Sequence, residues 1–179
     1  EAAVDEDAVL TTNTSALSIT EMQQGLTRPE RFCGLHFFNP VHRMPLVEVI
    51  RGEDTGDEAV ATALAVVRAL GKSPVVVRDG PGFLVNRILG PYLNEAGYLL
   101  AEGATVRAVD RALSGFGMPM GPFRLLDEVG LDVAHHVADI LHDAFGDRMA
   151  PAPALVALRD TDRLGRKGGL GFYRYEDGK

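Results

Sequence analysis

The 179-residue chain contains a single cysteine, Cys33, so no disulfide framework is open to it. A lone thiol fits a reducing compartment, and a cytoplasmic protein is expected. No apolar run approaches the roughly 18 residues of a membrane span, and the first residues lack the basic-then-apolar pattern of a secretory signal. Basic charge is also scarce. Lys and Arg number 18 against 25 Asp and Glu, a net charge of −7, which argues against a general nucleic-acid binder. The patterns G-x-G-x-x-G and G-x-S-x-G are both missing. Gly71-Lys72-Ser73 looks like the end of a phosphate-binding loop, but Val66 stands where that loop needs its first glycine. No internal repeat or low-complexity tract occurs. There is no initiator methionine either; the chain opens Glu1-Ala2-Ala3 and is expected to be a piece of something larger.

What is present is the composition of a folded globular protein, with 46% hydrophobic and 24% charged residues. At this length roughly 70% of the unfolded chain's surface can be buried, in one domain or two small ones. The first half alternates strand-like and helical runs: strands near residues 9–12, 32–38, 46–50 and 75–77, and helices over 19–26 and 55–70. Val60, Leu64, Val67 and Leu70 recur at the helical period, and Gly71 supplies the stop. This β-α-β-β-α-β order points to an α/β fold, with Val75-Val76-Val77 as a buried-type strand. After Asp79-Gly80-Pro81-Gly82 the strand signals vanish. Helices are expected over 83–102, 106–116, 123–145 and 153–164, so a domain boundary is placed near residue 80 and the second part is all-α. The basic, glycine-rich run 165–171 reads as a solvated turn. His135, Asp139 and His142 share a predicted helix, but zinc wants three or four convergent ligands, and a polar helix face is the plainer reading; no metal is expected.

Two strand-like runs each hold one polar residue among apolar ones, His36 and Glu48. If the intervening loop, bounded by Pro40 and Pro45, folds back symmetrically about His42, these two face each other on one side of a hairpin. A carboxylate beside an imidazole fixes the ring's tautomer and leaves the other nitrogen free as a base. A core histidine with a water-facing glutamate is an equal alternative from spacing alone. Ser15, after a strand end, and Asn86, in the first turn of a long helix, are further candidates. Their plainer readings are a helix cap and a packing asparagine. On the face of Asn86, Gly90 is small enough to leave room for a ligand.

The stretches Asn13-Thr14-Ser15, Gly34-Leu35-His36-Phe37-Phe38-Asn39-Pro40, Leu46-Val47-Glu48-Val49-Ile50, Pro81-Gly82-Phe83-Leu84-Val85-Asn86-Arg87 and Pro119-Met120-Gly121-Pro122-Phe123 resemble, in order and spacing, motifs of the L-3-hydroxyacyl-CoA dehydrogenases. Residues 40–46, 132–136 and 146–149 resemble the multifunctional members found in bacterial fatty-acid oxidation complexes, which fuse an enoyl-CoA hydratase to this dehydrogenase. Members that reduce acetoacetyl-CoA share most of the motifs. The resemblance implies the C-terminal part of a Rossmann-like NAD domain over residues 1–80 and a helical substrate and dimerisation domain over 81–179. It implies NAD as cofactor, an acyl-CoA substrate, and a homodimer through the helical domain or a thiolase subunit as partner. It assigns His36 as the catalytic base, Glu48 as its orienting carboxylate, Ser15 as a contact of substrate and nicotinamide, Asn39 as an NAD contact and Asn86 as a substrate contact. The family's glycine-rich loop and acidic ribose contact would precede Glu1. On its own, the 179-residue chain is therefore expected to bind NAD poorly and to be nearly inactive. The rival readings are a non-catalytic helical assembly module and a reductase of a hydroxy acid without CoA.

Overall fold

Short β-branched and aromatic runs build one four-stranded sheet in the first part of the chain. In the computed structural model, which describes residues 1–176, the strands are β1 (Leu10–Thr12), β2 (Phe32–Phe37), β3 (Leu46–Arg51) and β4 (Ser73–Arg78). They lie side by side in chain order. The pairs β1–β2 and β3–β4 are parallel, crossed over by α1 (Ile19–Gln23) and α2 (Asp57–Ala69), while β2 and β3 form an antiparallel hairpin. The β-α-β-β-α-β order is the expected one. The chain divides into two compact units, Glu1–Asn86 and Arg87–Lys179.

In the first unit the strand period of two sorts the side chains by face. Cys33, Leu35, Val47 and Val49 pack with Val60, Ala63 and Val67 of α2. Phe32 and Ile50, which point the other way, pack with Ile19 of α1 and with Phe83. Two expectations need adjusting. Leu70 lies past the end of α2 and is 57% exposed, because the chain turns through Gly71 at φ 70. The amides of Gly71 and Lys72 close that turn on the carbonyls of Arg68 and Val67. The run Val75-Val76-Val77 is not buried: β4 is an edge strand in this sheet, and Val76 is 43% exposed.

The second unit is built of helices, α3 (Val85–Ala101, which begins at the end of the first unit), α4 (Val106–Phe116), α5 (Pro122–Val129), α6 (Leu131–Phe145) and α7 (Pro153–Val156). They are followed by isolated antiparallel bridges between Gly165 and Leu170 and between Leu170 and Arg174. The single helix expected over 123–145 is two, because Gly130 takes φ 100 and breaks the run. The helix expected over 153–164 stops after one turn. Beyond Val156 the chain goes on in tighter turns, with the amides of Leu158 and Arg159 donating to the carbonyls of Leu155 and Val156. Residues 165–171 are not a solvated turn. Gly165 and Gly171 are buried against Asp127, where a Cβ at Gly165 would come within 2.5 Å of the Asp127 carbonyl oxygen. Asp127 is itself fully buried and accepts from the amides of Phe172 and Tyr173 and the hydroxyl of Tyr175. Among the described residues, no helix is long and apolar enough to cross a membrane.

Candidate active site

His36 and Glu48 sit directly opposite each other in the β2–β3 hairpin, as the symmetric fold-back predicts. Both point to the face that holds Phe32, Ile50 and Phe83. His36 is 4% exposed and Glu48 fully buried, with Nδ1 of the ring 2.7 Å from Oε2 of the carboxylate. The other carboxylate oxygen, Oε1, accepts from the amides of Leu84 and Val85, each at 3.0 Å. Those donors are the unpaired amides at the start of α3, where a negative charge is favoured.

This arrangement fixes the protons. An ionised carboxylate can only accept, so Nδ1 must donate to it, and the neutral ring then carries its lone pair on Nε2. Nε2 has no hydrogen-bond partner among the described residues. The rings of Phe38 and Phe83 flank the imidazole, with centroids at 4.5 Å and 5.9 Å. In such apolar surroundings an unpaired imidazolium would be costly, whereas one bonded to Glu48 is stabilised. The pair can therefore accept a proton at Nε2 and hold the resulting charge.

The turn that delivers Leu84 and Val85 is anchored by a residue that the sequence marked only as a change of character. Oδ2 of Asp79 accepts from the Ser18 hydroxyl and the Thr20 amide, both at 2.8 Å. Burial raises the Asp79 carboxyl, but these hydrogen bonds outweigh it and hold the group below the usual carboxylate range. From there the chain passes through Gly82 and Phe83, both at positive φ, into α3. The role of Phe83 against the histidine, and of two backbone amides on the glutamate, had no signal in residue type.

Of the other expected residues, Asn86 and Ser15 meet: Nδ2 of Asn86 donates to the Ser15 carbonyl at 2.8 Å. Ser15 is not the helix cap, since Ser18 caps α1 by accepting from the Glu21 amide. The hydroxyl of Ser15 and the exposed side chain of Asn39 are engaged by no other described residue. They follow β1 and β2, whose parallel carboxyl ends form the edge where open α/β sheets take ligands. Free amide and hydroxyl donors at that edge suit the polar groups of a nicotinamide cofactor. The amide of Phe37 is already held by Oδ1 of Asn13 at 2.9 Å. Gly90 is small for a different reason than the one expected: within the second unit a Cβ there would lie 2.6 Å from Leu141 Cδ1 and 3.2 Å from Met149 Cε. His135 bonds the Leu155 carbonyl at 3.1 Å and Asp139 pairs with Arg159, so both side chains serve packing within the helical unit.

Comparison with known proteins places these observations in a family. Residues 1–80 match the family described as 3-hydroxyacyl-CoA dehydrogenase, NAD binding domain, and residues 82–175 match 3-hydroxyacyl-CoA dehydrogenase, C-terminal domain. The fatty acid oxidation complex subunit alpha of Pseudomonas aeruginosa (strain LESB58) is 52% identical over 181 residues, covering 100% of this chain and 25% of that protein. The subunit alpha of Psychrobacter arcticus is 52% identical, covering 98% of this chain and again 25% of the relative. The chain thus spans about a quarter of the length of the curated relatives it matches. Among solved structures, (S)-3-hydroxybutyryl-CoA dehydrogenase from Ralstonia eutropha aligns with a TM-score of 0.91 at 41% identity, over 97% of this chain and 62% of the other. The 3-hydroxybutyryl-CoA dehydrogenase of Escherichia coli aligns with a TM-score of 0.87 at 42% identity, over 93% of this chain and 36% of that one.

Proposed function

We propose, since this chain belongs to the 3-hydroxyacyl-CoA dehydrogenase family, that it supplies the proton-transfer site for the NAD-dependent oxidation of L-3-hydroxyacyl-CoA to 3-ketoacyl-CoA in fatty-acid β-oxidation. The observation that carries this reading is the buried 2.7 Å bond between His36 and a glutamate whose second oxygen is held by two backbone amides. His36 Nε2 takes the proton of the 3-hydroxyl, and Glu48 stabilises the imidazolium that forms. NAD, when bound, accepts the hydride that leaves C3, so an alcohol becomes a ketone with one proton left on the enzyme. The Ser15 hydroxyl and Asn39 would contact the nicotinamide side of the cofactor. Asn86, whose orientation is fixed by the Ser15 carbonyl, would turn its amide oxygen to the substrate. The two units, residues 1–80 and 81–179 in the family's terms, would then be the end of the cofactor domain and the helical substrate and dimerisation domain.

The similarity to subunits of a fatty acid oxidation complex supports a place inside a longer cytoplasmic polypeptide that assembles with a thiolase. The reading is tested by following NADH formation in that longer dehydrogenase with L-3-hydroxyacyl-CoA and with the corresponding free hydroxy acid. Turnover of the thioester and little of the free acid is expected. Equal kcat/KM for both would replace the acyl-CoA assignment with a hydroxy-acid reductase.

A further inference from the structure

A second concave site lies wholly within the helical unit, a cavity of about 650 Å³, within the size range of small-molecule sites. Four arginines line it, Arg107 and Arg111 on α4, Arg124 on α5, and Arg174. In a chain of net charge −7 this local excess of positive charge is unexpected. All four side chains are exposed, and none pairs with a carboxylate or carbonyl among the described residues. The one carboxylate in the wall, Asp110, is buried and already committed. It accepts from the amides of Phe123 and Arg124 at 2.9 and 3.1 Å and from the Tyr173 hydroxyl at 2.8 Å. Burial and that bond push the Tyr173 hydroxyl up to about 12, so it remains a neutral donor and adds no negative charge to the wall. Elsewhere in this unit arginines do find acids: Arg159 pairs with Asp139 and Arg166 with Glu128. Concave walls of one sign focus the potential and attract counter-ions. Guanidinium forks match phosphate oxygens two at a time, which a lysine cannot do.

We infer that this arginine-lined cavity is a binding site for a ligand bearing two or more phosphate groups. Such chemistry is shared by inorganic polyphosphates and by the nucleotide end of a coenzyme A thioester. The inference stands on the helical unit alone, so it does not depend on the proton-transfer role of His36.

The test is calorimetric titration of the 179-residue chain at low salt with inorganic pyrophosphate and, separately, with adenosine 3′,5′-bisphosphate. Saturable binding is expected for pyrophosphate, weakening as salt rises. Tighter binding of the bisphosphate would identify a nucleotide ligand, and equal binding an inorganic one. Each guanidinium removed should cost about tenfold in affinity, so R107Q/R111Q should bind roughly 100-fold more weakly. R148Q, a substitution of an exposed arginine outside the cavity, should bind like the parent. Because the substituted residues are on the surface, an unchanged unfolding midpoint will show that the variants are folded. No saturable binding of either probe, loss of affinity in R148Q equal to that in R107Q/R111Q, or binding of a glutamate decapeptide in place of pyrophosphate would each overturn the proposal.

Discussion

At the scale of single residues, Glu48 has three obligations and no slack. One oxygen serves His36 and the other serves two backbone amides, and the carboxylate itself is fully buried. A glutamine there has one accepting and one donating end, so one of the two demands must fail. Either its amide group faces the Leu84 and Val85 donors, or it faces Nδ1 and forces the ring proton onto Nε2, where the base is needed. E48Q is therefore expected to lower kcat by about 10²–10⁴-fold in the longer dehydrogenase. E48A, which strands the histidine and both amides, should cost about 3–5 kcal/mol in urea unfolding. Full stability of E48A would show that the pair and its amides are not coupled as the geometry states. His36 and Glu48 were legible as a pair because each interrupts an apolar strand and the loop between them is symmetric. The amides of Leu84 and Val85 were not, since every residue has one and only the fold selects which two are used.

At the scale of elements, the open question is why some glycines lie inside helices. Gly97 in α3 is a point of close approach: a Cβ there would come within 2.8 Å of Ala152 Cβ and of Leu155 Cγ. Gly115 in α4 has nothing within 4 Å. Replacing a helical glycine by alanine gains about 1 kcal/mol of helix propensity, but overpacking a core costs about 1–3 kcal/mol. G115A should therefore raise the denaturation midpoint and G97A should lower it, and the two measured side by side check the packing of α3 on the segment that leads into α7. If G97A were as stabilising as G115A, that packing would be wrong. The same contest between local propensity and tertiary contact explains which elements could be read in advance. Helix α2 carries its period and its glycine stop within itself, and it was found within two residues. The burial of Gly165 and Gly171 depends on a partner far away in sequence, Asp127, whose bonds reach the amides of Phe172 and Tyr173. An isolated aspartate in a helical pattern gives no warning of that.

At the scale of the whole molecule, the absences that opened the sequence have unequal weight. The single cysteine is buried in the sheet core with its thiol pushed up to about 11 by burial, consistent with a packing residue. The acidic balance is an average that conceals the arginine-lined cavity of the helical unit. The missing glycine-rich loop matters most for the proposed function, in which His36 would take the proton and a bound NAD would take the hydride. The division of labour makes a sharp forecast: the proton step can be damaged without touching cofactor affinity. The most direct measurement is steady-state turnover of L-3-hydroxyacyl-CoA by the H36Q variant of the longer dehydrogenase, with NAD affinity determined on the same sample. A fall in kcat of roughly 10²–10⁴-fold with NAD binding unchanged is the predicted result; turnover close to that of the parent enzyme would contradict the assignment of His36 as the base.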